Sequence, residues 1–311
     1  MSWILLATAG QLFNALVAIL DKYIVSDENL LPRPFVYAFY TCIFTSAWVL
    51  VYFLGFIPGL PELGFPTFSN INTSPTLEVV ALSFLAAYTF FIALVSMYDA
   101  LRRADASNVM PVIGSISALA TFGFSYLLLD IKLSDNFTIG VTILAVGTLL
   151  VAQTLPRLNT VIQVVHSGLF FAMHYITMKG LFNLVGFDAG FFWSRIGFVL
   201  FTLSLLLVPV YFEKVKKTTK AVTKKTGFII LANKILAGIA AFVLLKATHL
   251  GDPAVVQALG GLQYVFILFL SVFLAKWLPK TATGHELKPK VTFQRLLYVV
   301  VILVGFVVLF T

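Results

Sequence analysis

Ten apolar runs of about 20 residues recur along the 311 positions, near 2–24, 34–57, 77–100, 106–128, 136–155, 158–182, 187–212, 227–248, 253–275 and 293–311. A helix of about 20 residues is long enough to cross the hydrocarbon core of a bilayer. The breaks fall at turn or charge signals: Pro32-Arg33-Pro34, the Pro/Gly-rich 58–75, Arg102-Arg103, Asp130 to Asp135, Pro156-Arg157, Gly186, the lysine run 214–225, Gly251-Asp252-Pro253 and Lys276 to Lys290. Hydrophobic residues make up 60% of the chain and charged residues 11%, with a mean hydropathy of +0.99. A soluble domain is closer to half apolar and a quarter charged. The expected fold class is therefore an all-α polytopic membrane protein with ten transmembrane helices. The first run lacks a basic start and a small-residue cleavage site, so it reads as a retained span.

Residues 98–128 (YDALRRADASNVMPVIGSISALATFGFSYLLL) recur in diluted form at 245–275 (LKATHLGDPAVVQALGGLQYVFILFLSVFLA), an offset of 147 positions (98 to 245). Ala100 matches Ala247, Asp105 matches Asp252, Val109 matches Val256 and Gly114 matches Gly261. Each copy has an apolar helix, a turn A-x-x-x-A/G-D, and a second apolar helix carrying small and polar residues. A pattern present once per half implies a duplicated fold. The halves divide near 1–156 and 157–311, five helices each. With an odd number of spans per half, the second copy is inverted relative to the first, and inverted repeats build a transport path at their interface. A weaker match joins the first and sixth runs (LFNALVAILDKY, LFFAMHYITMKG).

The odd-numbered connections carry 16 Lys and Arg, six of them lysines from 214 to 225; the even ones carry Lys132 and Lys179, with Lys246 at a margin. The positive-inside rule then puts both termini outside a multi-pass membrane, expected to be the plasma or inner membrane. Two N-x-S/T triplets, at Asn72 and Asn136, fall in even connections, in agreement. The net charge of +8 lies in loops, so no nucleic-acid partner is expected. Cys42 is the sole cysteine and excludes an internal disulfide.

The two A-x-x-x-A/G-D turns, the five-plus-five count and the stretches quoted above resemble the EamA-type transporters of the drug/metabolite transporter superfamily. The resemblance covers nearly the whole chain. It implies ten helices, a central cavity lined mainly by helices 1, 3, 4, 6, 8 and 9, and helices 5 and 10 at the periphery. Members move amino acids, other small metabolites, nucleotide-sugars or drugs. The chain departs from the family in having no Lys or Arg in 58–75, where members commonly carry a basic loop, and in the orientation of its termini.

Two cations lie deep inside spans: Arg195 in the seventh and Lys234 in the eighth, with no acid equally deep nearby. A charge at mid-membrane costs about 3 kcal/mol or more, so it faces a cavity or a partner. Both are candidate contacts for an anionic or zwitterionic substrate; structural pairing is the alternative. Gln11, Asn14, Ala18 and Asp21 share one face of the first helix. Asp21, Lys22 and Asp99 sit at helix ends, where local ion pairs are the ordinary reading; Asp21 is also a candidate for ion coupling. His174 shares a face with Ser167 and Thr177 and is read as a packing residue, a substrate contact or a coupling group. Ser117 and Gly114 align with Tyr264 and Gly261, Thr121 with Leu268, and Gln257 lies one turn before Gly261. Close helix packing through the glycines is the alternative to a binding face. Pro111 and Pro253 bend or start their helices.

No phosphate loop, H-E-x-x-H, paired Cys/His cluster or G-x-S-x-G is present, so neither catalysis nor a metal or other cofactor is expected. The leading expectation is a secondary transporter of a small polar metabolite working by alternating access, with Arg195, Lys234, Asn14, Gln11, Tyr264, Gln257, Ser117 and His174 as substrate contacts. Its partners are the small-molecule substrate and the bilayer, and a homodimer is compatible with these features. A flippase or membrane-embedded enzyme handling a phosphorylated lipid headgroup is the alternative; a non-transporting scaffold is a third.

Overall fold

A computed structural model describes residues 2–26, 33–62, 64–71, 74–104, 106–151, 158–221, 224–274 and 289–309. Asp105, Asn72, most of Lys276 to Lys290 and the side chain of Leu268 lie outside the described residues. Among the described residues every regular element is helical. They are α1 (Ser2–Ser26), α2 (Pro34–Ser46), α3 (Leu77–Arg103), α4 (Ala106–Leu129), α5 (Asp135–Val151), α6 (Leu158–Ser204), α7 (Pro209–Ala221), α8 (Lys224–Leu250), α9 (Pro253–Ala258), α10 (Gly260–Leu274) and α11 (Pro289–Val308). The helix α2 tightens into a 3-10 helix, Ala47–Phe56.

The ends follow local chemistry. The Thr76 hydroxyl accepts the Val79 N–H at the start of α3, Glu78 lies in its first turn, and Arg102 and Arg103 lie in its last. That order complements the helix dipole. The Asp252 carboxylate accepts from the N–H groups of Ala254 and Val255, and Pro253 opens α9. Pro111 lies inside α4. The 47 residues of α6 form two arms, because Gly186 adopts φ 76 and ψ 177, which is not helical.

Among the described residues, six helical segments, Ser2–Ile24, Pro34–Phe56, Leu77–Arg103, Asn108–Leu129, Thr160–Leu207 and Gly227–Leu250, are long and apolar enough to cross a membrane, and Asp135–Val151, Pro253–Ile267 and Leu297–Val308 are shorter apolar helices. The surface is apolar, with Leu5, Leu77, Leu127 and Phe228 more than 70% exposed, while Gln11, Asp21, Asn233 and Lys234 are buried. Water does not favour an apolar exterior over a polar interior; lipid does. The chain is an all-α integral membrane protein.

Packing is crossed between the two ends of the sequence. The helix α1 packs on α8 and α10, whereas α6 packs on α3 and α4; α5 and α11 pack together at one side. Close approach makes the α3–α6 contact: a Cβ on Gly197 would lie 2.5 Å from the backbone oxygen of Ser83.

Candidate functional site

A cavity of about 170 Å³ lies between these packing units. Its walls are Gln11, Asn14, Val17, Ala18 and Asp21 of α1, Phe90, Leu94, Met97 and Tyr98 of α3, and Met110, Ile113, Gly114 and Ser117 of α4. From later in the chain come Phe171 and Tyr175 of α6, Lys234, Ala237, Ala241 and Leu244 of α8, Gln257 of α9, and Gly260, Gln263 and Tyr264 of α10; α2 adds Thr41. The lining of α1 runs from Gln11 to Asp21, about 15 Å at 1.5 Å per residue. The helix α8 runs beside it in the opposite sense, since Gly10 approaches Leu244 while Asp21 meets Lys234.

One end of the cavity is charged. Lys234 Nζ lies 3.0 Å from Asp21 Oδ1, with both side chains almost fully buried. The same carboxylate oxygen accepts from Asn233 Nδ2 at 2.7 Å and from the Tyr37 hydroxyl at 2.5 Å. Lys234 also donates to the Tyr98 hydroxyl at 3.2 Å and lies 4.0 Å from the centre of the Tyr37 ring. Thr41 and Tyr98 complete the network at 3.2 Å. This corrects the reading of Lys234 as a cation without an equally deep acid, and of Asp21 as a helix-end charge. Reversal of direction between α1 and α8 brings the last turns of one to the first half of the other, so the two charges meet across 213 residues of sequence. Asp99 does form a local pair, with Arg103 at 2.8 Å.

The other end is built from amides and hydroxyls. Ser117 Oγ donates to Gln257 Oε1 at 3.0 Å, Gln263 Nε2 to the Asn14 carbonyl at 3.3 Å, Asn14 Nδ2 to Gln11 Oε1 at 3.4 Å, and the Tyr264 hydroxyl to the Met110 carbonyl. Gln11 Nε2 reaches the Val256 carbonyl at 3.5 Å. Seven sequence-derived candidates, Gln11, Asn14, Asp21, Ser117, Lys234, Gln257 and Tyr264, are thus brought together on one cavity.

Arg195 and His174 are not on its wall. Arg195 is buried between the rings of Phe191 and Phe198, 4.6 and 4.8 Å from their centres, and donates to Ser194 Oγ at 3.3 Å and to the Thr45 carbonyl at 3.4 Å. Those rings lie one turn to either side on the same helix face, so the arginine is held by its own neighbours. His174 Nδ1 is 2.9 Å from the Ala86 carbonyl and the imidazole packs on Phe90. Gly261 also faces elsewhere: a Cβ there would meet Thr148 of α5, while Gly260 lines the cavity. The helix α9 ends at Leu259, and both Gln263 and Tyr264, the residue that the repeat alignment pairs with Ser117, line the cavity.

Two lysines tie the packing units together beyond the cavity. Lys22 Nζ of α1 donates to the carbonyls of Leu101 and Ala104 at the end of α3, at 2.9 and 3.1 Å. Lys179 Nζ of α6 donates to Thr248, His249 and Gly251 at the end of α8, at 3.0, 3.0 and 2.8 Å. The donors are 157 positions apart (22 to 179) and their targets 147 (101 to 248, 104 to 251). Both cap a helix C-terminus, where free carbonyls and the dipole favour a cation. Lys22 adjoins the Asp21–Lys234 end of the cavity and Lys179 reaches the far end of α8, so the two contacts sit at opposite ends.

No family model matches the sequence, and no curated protein matches it. A solved structure described only as "Crystal structure of protein" is similar over 99% of this chain and 96% of its own, with a TM-score of 0.61 and 16% identity. That likeness concerns the fold alone.

Proposed function

We propose that the chain is a secondary transporter that moves a small anionic or zwitterionic metabolite by alternating access. Two five-helix halves of opposite orientation wall the central cavity, and each rocking unit draws helices from both. The single observation that carries the reading is that cavity, walled by both halves, with a buried acid–base pair at one end and amides at the other. A substrate carboxylate competes with Asp21 for Lys234, and a substrate ammonium competes with Lys234 for Asp21; Gln11, Asn14, Ser117, Gln257, Gln263 and Tyr264 orient the remainder by hydrogen bonds. Phe90, Leu94, Met97 and Phe171 give the cavity an apolar flank. The equivalent Lys22 and Lys179 contacts support the inverted repeat, because each appears once per half and at opposite ends. The crossed packing gives the rocking units: α1 with α8 and α10, against α6 with α3 and α4. The EamA-type resemblance is part of the same proposal.

The test is a thermal-stability screen of the purified chain against amino acids, organic acids, sugar phosphates, nucleotide-sugars and lipid headgroups. A ligand at about 100 times its Kd stabilises by roughly 2.7 kcal/mol. The expected hit carries a carboxylate or ammonium group. Its shift is lost in Gln257→Ala and Lys234→Ala and retained in Arg195→Lys, whose side chain is off the cavity wall. If hits shift all of these variants alike, or only lipid headgroups bind, the reading is wrong.

A further inference from the structure

The geometry points to an anionic phospholipid headgroup site at the junction of α7 and α2, separate from the central cavity. The helix α7 follows the membrane-crossing segment Thr160–Leu207 after a single residue, so it starts at the boundary of the bilayer. Its residues divide by face. Tyr211, Val215 and Thr218 turn inward: the Tyr211 ring lies 4.7 Å from Phe35, Val215 belongs to the buried core, and Thr218 is buried. Outward, Val210 is 60% exposed and Phe212 43%, with Leu207 just before the helix at 82%. Apolar residues of this kind on a basic helix insert into the boundary between headgroups and acyl chains.

The second observation is independent of that amphipathic pattern. A cleft opens beside the helix, lined by Pro209, Val210, Glu213, Lys214, Lys217 and, from 176 residues earlier, Arg33 (33 to 209). Val210, Lys214 and Lys217 recur at helical spacing and form one stripe. Arg33 precedes α2 and lines the cleft with this stripe, beside the packed rings of Phe35 and Tyr211. Lys214 Nζ is steered by two rings, 5.9 Å from the centre of Phe35 and 5.7 Å from that of Tyr211. Three cations therefore converge on one cleft. No ion pair joins Glu213 to any of them among the described residues. A topology signal requires only that lysines lie on one side of the membrane; it does not require a distant arginine in the same cleft. A phosphodiester fits the three cations, and its acyl chains continue over Val210 and Leu207, which commits the site to a lipid and not to a free anion. Basic residues beside a membrane draw anionic lipid in this way.

The test is native mass spectrometry of the delipidated full-length chain with phosphatidylglycerol and with phosphatidylcholine. Each basic residue is worth about five-fold in affinity for an anionic surface. Arg33→Gln, Lys214→Gln and Lys217→Gln are each expected to weaken phosphatidylglycerol binding about five-fold, and the triple variant to abolish its preference over phosphatidylcholine. Glu213→Gln strengthens it, because a carboxylate opposing the phosphate is removed. Lys132→Gln, on a different connection, leaves it unchanged. The thermal midpoint without lipid is measured for every variant, which separates loss of the site from loss of the fold. An unchanged lipid preference in the triple variant overturns the proposal. So does displacement of phosphatidylglycerol by millimolar inorganic phosphate, which would make the cleft a free-anion site.

Discussion

Replacing Lys234 with Met removes the cation from the buried network while keeping most of its volume. In the folded protein this leaves Asp21 buried beside Tyr37, Asn233 and Tyr98, with the ammonium partner at 3.0 Å gone. Breaking a buried pair from one side costs about 3–5 kcal/mol, because the remaining charge is uncompensated. The two donors left on Asp21 Oδ1 hold the loss toward the lower part of that range, each contributing about 1 kcal/mol. At roughly 2 °C per kcal/mol for a chain of this size, the thermal midpoint of Lys234→Met falls by about 6–8 °C. The decisive comparison is Asp21→Asn with Lys234→Met in one chain. Neutralising both leaves no orphan charge, and the asparagine still accepts from Tyr37 and Asn233, so the double variant recovers at least half of the loss. Scanning fluorimetry of the wild type, both single variants and the double variant gives the coupling. If the two single losses simply add, within about 0.5 kcal/mol, the charges do not interact and the pairing argument is refuted.

The lysine contacts predict opposite effects at the two ends of the cavity. In a Cys42→Ala background, Lys22→Met raises labelling of Ala18→Cys by a membrane-impermeant thiol reagent, and Lys179→Met raises labelling of Leu244→Cys. A hydrogen bond to a charged group is worth about 1.5–3 kcal/mol, so each change is about ten-fold or more; equal effects of both variants at both sites would count against separate ends. Helix contact predicts a contrast between two glycines. Gly197→Ala drives a Cβ to 2.5 Å from backbone of α3 and lowers the midpoint by several degrees, whereas Gly123→Ala meets open space and is neutral or raises it, by up to about 1 kcal/mol of helix propensity. A similar midpoint in both variants would show that the α3–α6 approach is not tight.

What the sequence made legible follows from what a helix preserves. Depth along a span and shared faces are local properties, so the polar stripe Gln11, Asn14 and Asp21 and the burial of Lys234 could be read directly. Direction around a helix relative to distant neighbours is not local. Arg195 lies as deep as Lys234, yet its turn of the helix points between Phe191 and Phe198 and not into the cavity. The Asp21–Lys234 pair needs α1 and α8 side by side and antiparallel, which no nearby residue announces. Gln263 is not marked by the repeat alignment, which points to its neighbour Tyr264, and both line the cavity. Thr41, Tyr98, Tyr175 and Asn233 carried no signal beyond being polar residues in apolar runs.

Gly186 has a consequence for biosynthesis. The segment Thr160–Leu207 is 48 residues of continuous apolar helix apart from one residue, long enough to cross a bilayer twice. The conformation at Gly186 belongs to a region that only glycine occupies readily, and a Cβ there would meet no atom within 4 Å. A substitution at this point is opposed by torsion alone, at about 1–3 kcal/mol. A chain that stayed helical through this residue would run on as one arm where Gly186 now separates two. Each added or lost crossing exchanges the compartments faced by everything downstream, including the lysines of α7. The turn between the two arms thus hangs on one of the five glycines of the segment, the one whose φ is positive.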